Sequence, residues 1–300
     1  MTNRLTTVTL SIALVLTYLL SQEALPSAHV DPYIYNAATE EQIVEEARRP
    51  ESQKSGIPAF RRSGFRKLPS ALSLTARWWG LSAMGTMEIL GNTEFRGEDV
   101  VLVRSQVTEL GGFLGFIVRF LRIYKESNTF DSYIESDTFM TIRYEVYNLN
   151  DDGSKKLSEH IYFDRERNRV VSLTDNKTII SNAALDIQDA FSIFLDLIHK
   201  FNTEELFVGK RFKVNLYAYK KSYKVEIEVT HLALVNGTAV YTLEIKELPA
   251  VFKYPTAISF EVTDVRDGLK LPTRGKCTIH VPVLPDIAIE GELKEIRYTN

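Results

Sequence analysis

The sequence predicts a mainly β protein held together by core burial, and three observations carry that reading. Apolar and polar residues alternate over short segments, as in Phe212, Val214, Leu216 and Ala218 against Lys213, Asn215, Tyr217 and Tyr219. Tight-turn dipeptides, Asp152-Gly153, Asn236-Gly237 and Asp267-Gly268, fall between such runs and suit antiparallel hairpins. Strand follows strand without the helices that a parallel βαβ sheet needs. A length of 300 residues, 44% of them hydrophobic and 25% charged, fits a globular chain of two domains or one large all-β domain.

The elements follow in order. Arg4 precedes an apolar run, Val8 to Leu20, whose length suits a secretory h-region better than a membrane span. Residues 1–28 are therefore expected to be a signal peptide, with a retained anchor as the alternative, and the protein is expected in the periplasm. Residues 29–67 read as a charged linker. An acidic stretch (Glu40, Glu41, Glu45, Glu46) passes into a basic one ending at Arg66 and Lys67, broken by Pro50 and Pro58. The basic end is a candidate for peripheral contact with anionic headgroups.

Residues 68–300 are expected to form a single β-rich domain. Leu72, Leu74 and Ala76 alternate with Ser73, Thr75 and Arg77. Val100 to Val107, Phe139 to Tyr147, Glu159 to Phe163 and Val225 to Val229 continue the pattern. Ala184 to Phe201 breaks it. Ile187, Ala190, Phe191, Phe194, Leu197, Ile198 and Phe201 share one helical face, and Gln188, Asp189, Ser192, Asp196, His199 and Lys200 the other. That spacing predicts one principal amphipathic helix packed on a sheet. Leu110 to Tyr124 is apolar almost all round, loosened by Gly111, Gly112 and Gly115. It reads as core, as a flap over a ligand cavity, or as a membrane-touching loop.

Several chemistries are disfavoured. A net charge of −3 argues against a nucleic-acid binder relying on overall positive charge. The tyrosines interleaved with Lys220, Lys221 and Lys224 read as ordinary β chemistry. A single cysteine, Cys277, forms no internal disulfide or Cys-x-x-Cys pair and reads as a small buried residue. The five histidines show no short-spaced ligand pattern, so neither a metal nor a cofactor is expected. No nucleophile elbow, Walker loop or dinucleotide fingerprint is present, and the chain is expected not to be an enzyme.

The order of motifs resembles the bacterial domain-of-unknown-function family 3108, a group of exported envelope proteins. The resemblance begins at LTARWWGLSAMGTMEI (Leu74 to Ile89), with Trp79, Gly80 and Gly85 at family positions. It continues through YKESNTFDSY (Tyr124 to Tyr133) and HIYFDRERNRVV (His160 to Val171), which carries the Phe163-Asp164 pair. ALDIQDAFSIFLDL (Ala184 to Leu197) places Asp189 at the family's acidic helix position, and FEVTDVRDGLKLPTRGK (Phe260 to Lys276) carries Pro272. The resemblance implies a curled, mostly antiparallel, open barrel-like sheet with a helix on its concave side, similar in outline to periplasmic lipoprotein carriers. It implies no catalytic residues.

Three readings compete. The first is a carrier of an apolar ligand (acyl chain, lipid or lipidated protein), its cavity bordered by Phe113, Leu114, Phe116, Ile117 and Phe120. The second is a structural or assembly partner in the envelope. The third is an unrecognised enzyme. The sequence identifies no specific ligand, partner or oligomeric state.

Overall fold

The computed structural model describes residues 70–78, 81–95, 98–111, 129–149, 155–218, 220–246, 255–266, 268–279 and 287–298. Along the chain run β1 (Ala71–Trp78), β2 (Leu81–Phe95), β3 (Glu98–Gly111), β4 (Thr129–Glu135), β5 (Thr141–Leu149), β6 (Lys155–Asp164), β7 (Arg169–Ser172), β8 (Lys177–Ser181) and β9 (Ile187–Gln188). The helix α1 (Ala190–Thr203) follows, then β10 (Arg211–Ala218), β11 (Lys221–Val235), β12 (Thr238–Ile245), β13 (Pro255–Arg266), β14 (Leu269–Ile279) and β15 (Ile287–Arg297).

The fifteen strands of the described residues belong to one sheet, in the order β8-β7-β6-β5-β4-β3-β2-β1-β15-β14-β13-β12-β11-β10-β9. Every neighbouring pair is antiparallel except β9 with β10. The expected mainly β, mostly antiparallel architecture with one helix is the one observed. Two meanders leave the β1–β15 pair in opposite directions, so the first and last strands of the described residues lie side by side at the centre.

The sheet is curled, and the helix contacts show it. α1 touches β4, β10 and β14. Strands β4 and β10 stand nine places apart, roughly 43 Å on a flat sheet at ~4.8 Å per strand. A helix only ~10–12 Å across reaches both only if the sheet wraps around it. The sheet does not close. Its two edge strands, β8 and β9, are joined by residues 182–186, so the edges stay near each other, and β8 touches β11 across the opening.

The helix differs from expectation at its start and in its facing. Residues 184–188 form a turn and the short strand β9, and the helix begins at Ala190 because Asp189 caps it in an extended conformation (φ −74°, ψ 169°). The expected polar face is largely buried: Ser192 and Asp196 are as enclosed as their apolar neighbours, while His199 and Lys200 are half-buried. Two stripes explain this. Phe191, Phe194, Leu195 and Ile198 join the cluster built mainly on β1–β7, β14 and β15, whereas Ile193, Leu197 and Phe201 join that built on β10–β13. A helix apolar on two sides is a partition inside the curl. Its C-terminal end is fixed by Asn202, whose Nδ2 donates to Lys270 O (2.8 Å) and whose Oδ1 accepts from Lys270 N (2.7 Å).

The turns follow local chemistry. Asn236 (φ 52°) and Gly237 (φ 80°) make the two-residue hairpin between β11 and β12 with both residues left-handed. Phe139 also takes a positive φ (59°), which is costly for an aromatic. Its ring is buried in return, 4.8 Å from the His199 ring.

Candidate functional site

Asp189 and Asp164, the two acids singled out in the sequence, are both buried, and both are fully committed. Asp189 Oδ1 accepts from Phe191 N (2.7 Å) and Ser192 N (3.1 Å), and Oδ2 accepts from Thr141 Oγ1 (2.7 Å). Asp189 N donates back to Thr141 Oγ1, and Ser192 Oγ donates to Asp189 O while touching Thr141 Oγ1. Burial pushes the Asp189 carboxyl above the usual aspartate range, opposed first by the Thr141 hydrogen bond and then by the two amides. This knot ties the helix start to β5.

Asp164 holds a turn. Its Oδ2 lies 2.9 Å from Arg169 Nε and its Oδ1 accepts from Arg167 N, closing the β6–β7 connection. The other family positions are also architectural. The Phe163 ring meets Tyr217 edge-on at 5.4 Å within the core. Gly85 is buried on β2 opposite Leu74 and Val107. Pro272 sits on β14 at a register shift beside Glu261 and Val262, where a residue without an N–H is tolerated. Trp79 and Gly80 lie outside the described residues.

The same pattern repeats on the convex face. Arg104 grips Asp131 through two bonds of 2.7 and 2.6 Å. Glu145 accepts from Tyr147 Oη (2.7 Å) and Tyr133 Oη (3.4 Å), with Arg143 Nε and His160 Nε2 also in reach. Burial, followed by the Glu145 hydrogen bond, pushes the Tyr147 phenol up. Asp196 pairs with Lys200 one helical turn on. Each buried carboxylate among the described residues thus has its partner inside the fold. In these pairings the carboxylates hold structure.

Two further features bear on ligand access. At the open seam, Lys220 Nζ reaches Asp175 Oδ2 (3.2 Å) from the β10–β11 turn to the β7–β8 turn and lowers that carboxyl's pKa. Across β1 and β12–β15 lies an open groove of about 470 Å³ lined by Glu261, Arg274, Lys276, Glu290 and Glu292 around Gly275 and Gly291. Its alternating charges, with Arg274 3.8 Å from Glu261, are those of a solvated sheet face. The ligand segment expected from sequence, Phe113, Leu114, Phe116, Ile117 and Phe120, lies outside the described residues. The described part of the space between helix and sheet is filled by the two apolar clusters.

A different apolar surface emerges, one that the sequence reading missed. Strand β11 pairs with β10 only as far as Glu228, and the last bonds on that side join Val229 to Gly209 and Lys210. On the other side β12 pairs with β13 only from Val240 onward. Beyond these points the hairpin edges at Thr230–Val235 and Thr238–Ala239 have no strand partner among the described residues outside the hairpin itself. A bulge at Val229/His231 marks its root. Cross-strand register places Leu232, Tyr241, Leu234 and Ala239 on one face and Ala233, Val240, Val235 and Thr238 on the other. Leu234 is 77% exposed, Leu232 43% and Val235 41%. At the root, the turn closed by Lys210 N donating to Phe207 O leaves Phe207 and Val208 more than half exposed. One signal was available in the sequence: no charged residue occurs from Thr230 to Leu243.

The class of protein is therefore a curled, open antiparallel sheet around one capped helix, with its buried charges paired and an apolar hairpin left uncovered. The family described as a protein of unknown function, DUF3108, matches residues 73–281, and the chain belongs to it. No curated protein and no solved structure matches the chain. Among the described residues no helix is long and apolar enough to cross a membrane, and no cluster of His, Cys, Asp and Glu is arranged to hold a metal.

Proposed function

We propose that this chain is a non-catalytic binding protein of the bacterial cell envelope that engages an apolar ligand: an acyl chain, a lipid or a lipidated protein. The observation that carries the reading is the uncovered apolar hairpin with Phe207 and Val208 at its root, because contiguous exposed apolar surface marks an interaction site. The paired state of the buried carboxylates supports a non-catalytic role. The apolar run from Val8 to Leu20 behind Arg4 supports export. The test is native mass spectrometry of the protein purified from its host envelope without detergent exchange. A co-purifying lipid or lipidated chain is the expected result, and recovery of ligand-free protein under those conditions overturns it.

A second reading, an assembly partner, is favoured by the unpaired strand edges of the hairpin, which offer backbone hydrogen bonds to an added strand. A stoichiometric protein without lipid in the same spectra selects it.

A further inference from the structure

We infer that the β11–β12 hairpin is a wedge that enters the interfacial region of a lipid bilayer by apolar contact, without needing anionic headgroups. This deepens the binding reading above and rests on it. Three observations point to a bilayer.

The first is two-sidedness. A hairpin docking on a protein surface buries one face and keeps the other wet, so its residues alternate in polarity. Here Leu232 and Leu234 project from one face and Ala233 and Val235 from the other. Only surroundings that are apolar on both sides solvate such a pair of faces. The second is shape. The β11 edge runs free of β10 from Thr230, the β12 edge leaves β13 beyond Val240, and the tip beyond both points (Leu234, Val235, Thr238 and Ala239) ends in the compact Asn236-Gly237 turn. Its polar tip and the Tyr241 phenol suit the interfacial zone, where amphipathic groups collect.

The third is charge. Three cations around the root are paired within the chain: Lys210 with Glu204 (2.7 Å), Arg211 with Glu226 and Glu228, and Lys246 with Glu244. So paired, these three offer an anionic surface little net positive charge. Insertion is therefore expected to be insensitive to salt. Docking through the basic stretch between Arg48 and Lys67 has the opposite signature, because screening removes it.

The protein's one native cysteine makes the test clean. Cys277 is buried, and burial pushes its thiol up to about 11, so it stays unreactive at neutral pH. Val235→Cys labelled with an environment-sensitive fluorophore, in the full chain, is titrated with phosphatidylcholine vesicles at low salt and at roughly 0.5 M salt, where screening is near complete. The expected result is a blue-shifted, brighter label at both salt concentrations. Leu234→Asp in the labelled chain should weaken partitioning about tenfold or more, the effect of withholding one leucine from an apolar phase. Circular dichroism melts should show both variants as stable as the wild type.

Absence of any shift on neutral vesicles, a shift abolished by salt, or full partitioning of Leu234→Asp overturns the inference. A lipid-free, concentration-dependent shift shows that a second copy covers the hairpin and overturns it too. The two proposals fail separately. A lipid found by native mass spectrometry without vesicle insertion sinks only the wedge, whereas vesicle insertion by a chain that carries no ligand sinks only the carrier reading.

Discussion

The start of α1 and the tip of the β11–β12 hairpin are opposites. At the helix start, polar groups lie deep in the protein and every oxygen of Asp189 is taken. At the hairpin tip, apolar groups stand largely in water, with only their cross-strand partners beside them. Residue type alone suggests the reverse division of labour, with the acid as the working group and the leucines as core. Partnering decides otherwise. A buried carboxylate saturated by hydroxyls and amides is part of the frame, while an exposed leucine adds little to it.

The largest expected effect tests the frame side of this contrast. The Phe201 ring is fully buried, 5.5 Å from Phe212 and 6.4 Å from Phe260. Phe201→Ala should cost about 3–5 kcal/mol in urea denaturation, because the lost transfer energy is joined by a cavity. A loss below about 1 kcal/mol breaks the idea that the helix is a partition between two cores.

The next effect sharpens the reading of Asp189. Asp189→Ala removes the cap and leaves buried amides and the Thr141 hydroxyl short of an acceptor, so a loss of about 2–3 kcal/mol is expected. Asp189→Asn keeps an oxygen for the amides and should cost clearly less. The two also separate by pH. The folded carboxyl holds its proton more tightly than the unfolded one, because its pKa is raised. Its contribution to stability therefore falls as pH rises from the ordinary aspartate range through the raised folded value, and is recovered as pH falls. Denaturation midpoints followed from acid to neutral pH should show that slope in the wild type and lose it in Asp189→Asn. An identical slope in both proteins means that another group titrates there.

A smaller effect is expected at Ser192, whose hydroxyl lies inside the same knot. Ser192→Ala should cost about 1 kcal/mol, the net worth of an ordinary internal hydrogen bond. A cost indistinguishable from zero returns the residue to the wet face that helical periodicity assigned it.

That assignment shows where the sequence was legible. Strands and turns were readable because their signals are local: β10 alternates residue by residue, and Asn236-Gly237 specifies its own left-handed turn. The helix was legible as an element but not in its limits. Ile187 lies four residues before Phe191 and fits the helical stripe, although it belongs to β9. The cap was the available correction, since an aspartate ahead of an apolar run starts helices. Ile193 and Leu195, outside the single stripe, already hinted at burial on more than one side. What no local signal carries is pairing over distance. Thr141 meets Asp189 across 48 residues, and whether Leu234 finds a neighbour depends on where β10 and β13 stop.

The smallest expected effect lies at the other pole of the comparison, and it is the most discriminating. Leu234 is an apolar residue on a strand, so a core reading assigns Leu234→Ser a loss of several kcal/mol. The structure assigns it almost none. With 77% of its surface in water, the side chain gives up little apolar area on folding, and the substitution removes a similar exposed group from both states. Its strand neighbours are unaffected, since Ala239 and its backbone bonds remain in place. Urea midpoint and slope should both stay unchanged, with a free-energy difference inside about 0.5 kcal/mol. An unchanged midpoint with weaker vesicle partitioning isolates Leu234 as a residue kept for contact. A loss above about 1.5 kcal/mol would mean that the hairpin packs against the protein itself, and the contrast between the two regions would collapse.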